Sequence, residues 1–467
     1  MAFGKDLLGT NVKPDSVVYP PVVPLVVTGL AKVLGPTKGL ALMSAVSAIA
    51  PAVAAFVFLC WSGLLKGRAA ILAAFLLPCS AISEVAAWGG FPQLLGTLFL
   101  LGNLYFLDRW LRYGQRRHLI GEAISGMLLL AVSHFDVVIG MFAASSVVAI
   151  HVIGSRRKGE ILRRVGVGGL VTLLFALPLE PVYIHLVPAL VSWRNAEPSI
   201  TRLTLGDFPS RFTSAMGGAW PLWALGLILL PPAIWLNRRD RSSLFVVTVS
   251  LAIGLALFLA LARQVRVLHE LPVLVVLAAA LWLPTLGDHP FLSIRDPATT
   301  LLTAGVVVAL WTVTSAGIHD LPNHRDFYNL LDHKLVRALD WIQRETPPGS
   351  VIAVSPKNGA PLGWWVEGLS ERPTLTGTPV EWLVYPQERD RAVSANRIFN
   401  LIAVSSPAAL ATAQAYGVDF VLVARGSASY FGAERLLHEG QLSALAFRNS
   451  SAIIMRIGDG KPPSSGR

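Results

Sequence analysis

The fold of this chain is decided by residues 243–284, which read SLFVVTVSLAIGLALFLALA, then RQVRVLHE, then LPVLVVLAAALWLP. Two uncharged apolar segments flank a short polar connection. A helix needs about 20 apolar residues to cross a bilayer, and only helices or closed barrels satisfy their backbone hydrogen bonds in lipid. The stretch therefore predicts two membrane-spanning helices, at 243–262 and 268–284, joined by a polar turn.

The rest of the chain repeats this pattern on the N-terminal side and once more on the C-terminal side. Hydrophobic residues make up 53% of it and charged residues 14%, with a mean hydropathy of +0.57, whereas a soluble protein carries about 25% charged residues. We predict a mainly α-helical, polytopic bundle of about ten spans. The predicted spans are 39–64, 69–83, 91–107, 119–134, 136–153, 165–187, 220–236, 243–262, 268–284 and 298–316.

The positions of the charges predict the orientation of the bundle. The net charge is +11, and Lys and Arg concentrate in alternate gaps between the predicted spans. The positive-inside rule assigns those gaps to the cytoplasm of a plasma membrane and leaves both the N-terminal segment and the chain after residue 317 outside. The basic loops are better explained by anionic lipid headgroups than by nucleic acid. Cys60 and Cys79 fall in apolar runs and are interpreted as small buried side chains.

The chain after residue 317 has a different pattern. Helical spacing over residues 330–346 ends at Pro347-Pro348-Gly349, and short strand and helix patterns follow. We predict strands at 351–354 and 420–423, helices at 407–416 and 431–438, and a closing hairpin over 445–457. The predicted domains are an external N-terminal segment with a juxtamembrane helix (1–38), the bundle (39–317), a small extracytoplasmic α/β domain (318–459) and a disordered tail (460–467).

Ionisable residues collect at the predicted outer ends of the spans. Such groups are costly at membrane depth, and they usually face the bundle interior or an aqueous cavity. The alternative is that each is an ordinary interfacial residue that snorkels or caps a helix. The residues are Glu84, His134, Asp136, Arg263, Arg266, His269 and Glu270.

Two of these groups have more specific interpretations. Arg263 and Arg266 could bind a lipid phosphate in a forked geometry, or His269 and Glu270 could instead neutralise them. His134 and Asp136 flank Phe135 at a hairpin tip, where they form either a polar turn or an acid/base pair.

The segment after residue 317 contains one unusual motif, Gly363-Trp364-Trp365-Val366-Glu367-Gly368. Adjacent tryptophans with a carboxylate suit the apolar face and the hydroxyl groups of a sugar. They suit the membrane–water boundary equally well. We therefore name Trp364, Trp365 and Glu367 as candidate substrate contacts.

Several motifs resemble those of the GT-C superfamily of membrane glycosyltransferases, which use polyprenyl-phosphate sugars. The stretch Tyr19-Pro20-Pro21-Val22-Val23-Pro24-Leu25, with the apolar run to Leu34-Gly35, is similar to the juxtamembrane helix that follows their first external loop. The turn Trp88-Gly89-Gly90-Phe91-Pro92-Gln93 is similar to one in related multispanning proteins. The segments 338–342, 363–368 and 416–421 resemble parts of their external domains.

This resemblance implies glycosyl transfer on the outer face, from a polyprenyl-phosphate sugar to a glycan, lipid or protein acceptor of the cell envelope. It also implies a catalytic acid in the first external loop. Only 18 residues precede Tyr19, so we expect the chain to be N-terminally incomplete or to have lost its catalytic part. Asp15 is the carried-over candidate, with Glu84 and Asp136 as other candidates for the base.

The remaining expectations concern ions and rival functions. No strong metal motif occurs, although a divalent cation (Mg²⁺ or Mn²⁺) could bridge a phosphate and Asp15. One alternative function is a non-catalytic scaffold or glycolipid-binding protein of envelope assembly. A second is a transporter, for which charges near the midplane and a two-fold repeat are expected and are not seen in the sequence.

Overall fold

The computed structural model describes residues 20–62, 77, 90–195, 203–287, 331–357, 362–377, 383, 386–439 and 445–457. The predicted spans 69–83 (apart from Leu77) and 298–316, the candidates Asp15 and Glu84, and the tail 460–467 lie outside these residues. The described chain divides into two compact units. The membrane unit comprises 20–181 and 203–287, and the C-terminal unit comprises 182–195 and 331–457.

Helices account for nearly all of the described chain up to residue 287. In chain order they are α1 (Val22–Leu34), α2 (Pro36–Ser62), α3 (Phe91–Tyr113), α4 (Arg116–Val132), α5 (His134–Gly154), α6 (Lys158–Ala176), α7 (Glu180–Asn195), α8 (Phe208–Met216), α9 (Trp220–Leu236), α10 (Ser243–Ala262) and α11 (Leu271–Gly287). Eight of the ten predicted spans fall on these helices.

Within the described residues, five helical segments are long and apolar enough to cross a membrane. They are Lys38–Ser62, His134–Gly154, Lys158–Val191, Ser243–Ala262 and Val265–Trp282. The pair α8 and α9, bent by 120° at its break, makes a sixth if it counts as one span. The chain is therefore a helical membrane protein, and the number of ten spans stays a prediction.

Helix α3 lies in the middle of the membrane unit, in contact with α2, α4, α5 and α10. Its apolar face is buried at Leu100 and Leu104 and packs with Ile139 of α5 in the same core. Helix α10 approaches α5 so closely that a Cβ on Gly254 would lie 2.9 Å from the Ala143 backbone nitrogen. Small residues at such crossings let helix backbones approach and gain dispersion contacts, which is how helices associate in lipid.

One loop charge of the sequence prediction is in fact part of this packing. Helix α3 continues to Tyr113, beyond the predicted end at residue 107, and Asp108 is fully buried. Its Oδ1 accepts hydrogen bonds from Arg112 Nε and His151 Nε2, both at 2.9 Å, and its Oδ2 accepts one from Ser243 Oγ at 2.5 Å. A buried carboxylate is tolerated where donors satisfy it. Asp108 thus ties α3 to α5 and α10.

The C-terminal unit is an α/β domain with a four-stranded sheet. Its elements after α7 are α12 (His333–Glu345), β1 (Ile352–Val354), α13 (Gly363–Ser370), α14 (Pro386–Ala403), α15 (Ala408–Ala415), β2 (Phe420–Ala424), α16 (Ser429–His438), β3 (Leu445–Arg448) and β4 (Ala452–Arg456). The strand order is β1-β2-β4-β3. Strands β1 and β2 are parallel, and the other two pairs are antiparallel. The hairpin, both buried strands and the helices at 333–345, 408–415 and 429–438 match the sequence prediction.

Helices cover both faces of this sheet. Successive residues of a strand point to opposite sides, and apolar side chains on both sides pack against helices. On β2, Val421 and Val423 face a core that includes residues of α14, α15 and α16, whereas Phe420 and Leu422 face a core with α12 and α13. All five residues of β2 are buried. A strand covered on both faces reads as a continuous apolar run, which is why this strand was recognisable in the sequence.

A buried arginine fixes the connections around α12 and α13. Arg372 is buried, with 8% of the residue exposed. It donates to the carbonyl oxygens of Gln343, Thr346, Ser370 and Glu371 at 2.7–3.4 Å. These carbonyls belong to the last turns of two helices, where intrahelical partners are missing and a cation is favourable. Arg372 therefore caps the C-terminal ends of both α12 and α13.

Candidate functional site

Seven polar side chains gather at one end of the membrane unit, and we call them the polar cluster. They come from the start of α3, the start of α5, and the connection between α10 and α11. The members are Gln93, Thr97, His134, Asp136, Arg266, His269 and Glu270.

The connection between α10 and α11 is shaped by a sharp helix end. Arg263 caps α10 in the left-handed region at φ 51°, which is uncommon for a residue with a side chain. Its carbonyl oxygen accepts a hydrogen bond from the Leu203 backbone at 2.5 Å. A 3-10 turn over Val265–His269 follows, and it places Glu270 just before α11. This turn carries Arg266, His269 and Glu270 into the cluster.

Helix α3 holds the carboxylate of Glu270 with two donors. Gln93 Nε2 donates to Oε1 at 3.1 Å, and Thr97 Oγ1 donates to Oε2 at 3.2 Å. These donors stand four residues apart, so they lie one above the other on one helix face. Gln93 Nε2 also lies 3.2 Å from the Arg266 carbonyl oxygen. Glu270, only 3% exposed, is thus fixed in orientation.

Asp136 lies in the first turn of α5, whose N-cap is Ser133. The Ser133 Oγ accepts a hydrogen bond from the Asp136 backbone nitrogen at 3.3 Å. The Asp136 carboxyl is fully buried and lies beside the carboxyl of Glu270. Neither of its oxygens forms a hydrogen bond of regular geometry with a residue that the structure describes.

A glycine makes room for this carboxyl. Gly96 lies on α3 between Gln93 and Thr97, and a Cβ at this position would overlap Asp136 Oδ2 and stand 2.7 Å from its Cγ. The same Cβ would lie 2.8 Å from Ser133 Cβ. The close approach of α3 to the start of α5 therefore requires the missing side chain at residue 96.

The electrostatic setting of the cluster is unusual. Two carboxyl groups in contact at a buried position repel each other when both are ionised, so they hold one negative charge most readily. The Arg266 guanidinium acts electrostatically on both His134 and His269. A guanidinium, two imidazoles and a carboxyl pair could together bind an anion and accept or donate a proton.

The structure brings together five of the residues singled out in the sequence. These are His134, Asp136, Arg266, His269 and Glu270. The side chain of Arg263 is exposed and forms no hydrogen bond or ion pair with any described residue. Of the two arginines in the predicted phosphate clamp, Arg266 therefore belongs to the polar cluster and Arg263 does not. The roles of all these residues stay predictions.

Three members of this neighbourhood were missed in the sequence. Gln93 was noticed only as the end of a turn motif, and Thr97 and Gly96 were not singled out. A usable signal exists, since Gln93 and Thr97 are the polar residues of one face of an otherwise apolar helix start. Nothing local to them reveals that Glu270, 173 residues after Thr97, is their partner.

A further buried carboxyl group is that of Glu122 on α4, which lies inside a predicted span and was not singled out in the sequence. Its side chain accepts a hydrogen bond from Thr172 Oγ1 at 2.8 Å, and its carbonyl oxygen accepts one from Asn103 Nδ2 at 3.1 Å. These contacts join α3, α4 and α6. They serve helix association in the same way as Asp108 does.

The predicted sugar contacts lie in the C-terminal unit, on or near α13. Trp364, Trp365 and Glu367 all belong to this helix, and the Trp365 side chain packs against the core on one face of the sheet. Glu367 Oε1 accepts hydrogen bonds from the Thr374 backbone nitrogen at 3.0 Å and from Thr374 Oγ1 at 2.7 Å. Burial raises the pKa of Glu367 to about 7.

These contacts show that Trp365 and Glu367 support the fold of their own unit. Their contact with a sugar stays a prediction. Within the described residues, no group of three or more His, Cys, Asp or Glu side chains is arranged to hold a metal ion. The predicted bridge between a divalent cation and Asp15 lies outside the described chain.

Comparison with known proteins supplies a fold neighbour. No protein-family model matches the chain, and no curated protein sequence does. Among solved structures, the chain is similar to the arabinofuranosyltransferase AftD from Mycobacteria, with a TM-score of 0.52 and 16% sequence identity. The fold of this chain is therefore similar to that of AftD over the matched part. The match covers 97% of this chain and 36% of AftD, so this chain spans about a third of that protein. At such low identity the likeness concerns the fold alone.

Proposed function

We propose that this chain is a membrane glycosyltransferase, or the membrane part of a larger one. It transfers a sugar from a polyprenyl-phosphate donor to an envelope acceptor on the non-cytoplasmic face. The observation that carries the proposal is the polar cluster at one end of an apolar bundle. Ionisable groups are expensive in such a setting and usually mark a substrate site. The similarity of the fold to that of AftD and the activity named for AftD support it, as does the resemblance to the GT-C superfamily.

Arg266 binds the phosphate of the donor in this proposal. During transfer, the acceptor oxygen bonds to the anomeric carbon while the bond from that carbon to the phosphate oxygen breaks. The electron pair leaves with the phosphate, whose negative charge grows. A guanidinium already in place stabilises this charge, an effect that is often the largest contribution to catalysis.

The proton of the acceptor hydroxyl passes to the carboxyl pair. Glu270 accepts hydrogen bonds from two donors, so it is the better-stabilised anion of the pair. Asp136 lies next to it without regular donors among the described residues. Together they form a base that can take up the proton. Asp15 and Glu84, which lie outside the described residues, remain alternative candidates for the base.

The sidedness of the membrane is part of the proposal. The C-terminal unit is placed outside the cytoplasm, where Trp364, Trp365 and Glu367 would contact a glycan, lipid or protein acceptor. A single cysteine in place of Trp364, labelled with a membrane-impermeant maleimide on intact cells, tests this point. Labelling only after the membrane is opened would place the unit in the cytoplasm and contradict the proposed sidedness.

One observation favours a second candidate function, a non-catalytic protein that binds a glycolipid. Asp136 is 0% and Glu270 3% exposed, so within the described residues the carboxyl pair is closed to a substrate. A pair that stays buried cannot reach an acceptor hydroxyl, which suits a protein that binds a glycolipid without transferring its sugar.

A transfer assay separates the two functions. The purified protein in lipid nanodiscs receives a polyprenyl-phosphate pentose or hexose and an envelope glycan acceptor. We expect Arg266→Ala to reduce transfer by about 100-fold or more, whereas Arg263→Ala, on the same connection but exposed, keeps most of it. Unchanged transfer by the Arg266→Ala variant would remove the phosphate role. Donor binding without turnover by the unaltered chain would favour the glycolipid-binding function.

A further inference from the structure

A second candidate site lies in the C-terminal unit and shares no residue with the site proposed above. It lies beside β2, the strand that pairs with both β1 and β4 in the sheet of this unit. At the carboxyl end of β2 the structure has an open depression of about 400 Å³.

Three parts of the chain line this depression. The loop after β2 contributes Arg425, α16 contributes Tyr430, Phe431 and Glu434, and the end of β3 with the turn that follows contributes Arg448, Asn449 and Ser450. We call this set the Phe431 surface.

The aromatic ring at its centre is presented to solvent. Phe431 is 71% exposed, whereas the neighbouring Tyr430 is 6% exposed and packs edge-on against it at 6.0 Å between ring centroids. The buried ring supports the exposed one from the side. A single exposed apolar side chain is ordinary, so the inference depends on what surrounds this one.

Both hydrogen-bond donors and acceptors stand beside the ring. Arg448 Nη2 donates to Glu434 Oε1 at 2.7 Å, and both side chains remain partly exposed. Arg425 is exposed and lies 3.4 Å from the Ser450 carbonyl oxygen. Two guanidinium groups and one carboxylate, all partly or fully exposed, offer partners to a ligand whose polar groups both donate and accept.

The turn between β3 and β4, which follows Arg448 and contains Ser450, is held by hydrogen bonds. Asn449 Oδ1 accepts from the backbone nitrogens of Ser451 and Ala452 at 2.8 and 2.9 Å, and its Nδ2 donates to the Lys334 carbonyl oxygen at 2.7 Å. The side chain of Asn449 is therefore occupied with structure. A fixed turn lowers the entropic cost of binding, since fewer groups have to be ordered.

We propose that the Phe431 surface is a carbohydrate-binding subsite. A sugar ring has an apolar face of C–H bonds that stacks on an aromatic ring, and an edge of hydroxyl groups that both donate and accept hydrogen bonds. The ring of Phe431 and the mixed polar groups around it match these two features. A phosphorylated ligand fits less well, because Glu434 already neutralises one of the two arginines. The subsite goes beyond the proposed transfer reaction and does not depend on it.

The test measures binding and not transfer, so its failure is distinct from failure of the transferase proposal. The full-length protein in nanodiscs is titrated calorimetrically with linear hexasaccharides of mannose, glucose and arabinofuranose, without any donor. We expect at least one of them to bind saturably with a dissociation constant below about 1 mM, which corresponds to a standard binding free energy of about −4 kcal/mol or more favourable. We expect Phe431→Ala to weaken this binding about tenfold or more and Phe431→Tyr to retain it.

A matched control uses another exposed apolar residue of the same unit. Val393 on α14 is 58% exposed, and we expect Val393→Ala to bind as the unaltered protein does. If the Phe431→Ala variant loses thermal stability, Arg425→Ala provides a second test, since its side chain is exposed and packs into no core. Absence of binding for all three sugars overturns the proposal. Equal binding by Phe431→Ala, or by Arg425→Ala where it replaces that variant, also overturns it.

Discussion

The sharpest test of the polar cluster changes none of its polar atoms. Replacing Gly96 by alanine adds one methyl group, which would stand 2.7 Å from Asp136 Cγ and 2.8 Å from Ser133 Cβ. Carbon atoms in contact prefer about 3.5–4.0 Å, so α3 and the start of α5 must separate by about 1 Å or the Asp136 side chain must turn away. Either response separates the two carboxyl groups.

The expected cost follows from this geometry. Overpacking of this kind destabilises a protein by about 1–3 kcal/mol. A displacement of about 1 Å at a reacting group can lower turnover by about 100-fold. We therefore expect Gly96→Ala to lower the thermal unfolding midpoint in nanodiscs, and to lower sugar transfer more strongly than loss of folded protein explains.

Gly102 on the same helix is the matched control. A Cβ there meets only Ser125 Cβ at 3.8 Å, an ordinary contact. Alanine is favoured over glycine in a helix interior by about 1 kcal/mol, so Gly102→Ala should be as stable as the unaltered chain or more so, with full activity. Identical unfolding midpoints and transfer rates for both alanine variants would refute the packing described around Asp136.

Three further predictions concern other parts of the chain. Asp108→Ala removes the shared acceptor of one buried and two partly buried donors and leaves the Arg112 guanidinium uncompensated, so we expect a loss of up to about 3–5 kcal/mol, visible as a lower unfolding midpoint; an unchanged midpoint would contradict the role of Asp108 in joining the three helices. Arg372→Ala should open the two helix ends of the C-terminal unit and speed its proteolysis, at a cost of about 1.5–3 kcal/mol, whereas Arg344→Ala, exposed on α12, should not; equal proteolysis of both variants would argue against the clamp. The pKa of Glu367 is raised from 4.5 to about 7 in the folded unit, so the folded state holds its proton more tightly and stability falls as pH rises from 4.5 to 7, by at most about 3 kcal/mol. The free energy of unfolding, measured with denaturant at both pH values, should fall less in Glu367→Gln than in the unaltered protein. An equal fall in both proteins would show that Glu367 does not have the raised pKa.

Some features of the site were predictable because they depend on local sequence. His134 and Asp136 follow a helix end, and Arg266, His269 and Glu270 occupy one turn between two apolar segments. Each group stands out against an apolar background, since charges are rare there for energetic reasons. That the two groups meet was a hypothesis based on sidedness alone.

Other features were present in the sequence and missed. Helix α14 buries Ala392, Ala395, Phe399 and Ile402, a spacing typical of a helix face, but alanines make a weak apolar signal among many charges. Asp108 was interpreted as a loop residue because charge marks a loop by default. Its buried position is tolerated because three donors, from α3, α5 and α10, satisfy the carboxylate.

The sequence by itself determined that this is a helical membrane protein with a C-terminal α/β unit, because hydropathy, periodicity and turn residues act over short distances along the chain. The tertiary structure alone decided which polar groups meet. Glu270 finds Gln93 and Thr97 through the contact of distant helices, and Asp136 reaches it only because Gly96 lacks a side chain. Such pairings depend on close packing in three dimensions, where one methyl group is enough to separate them.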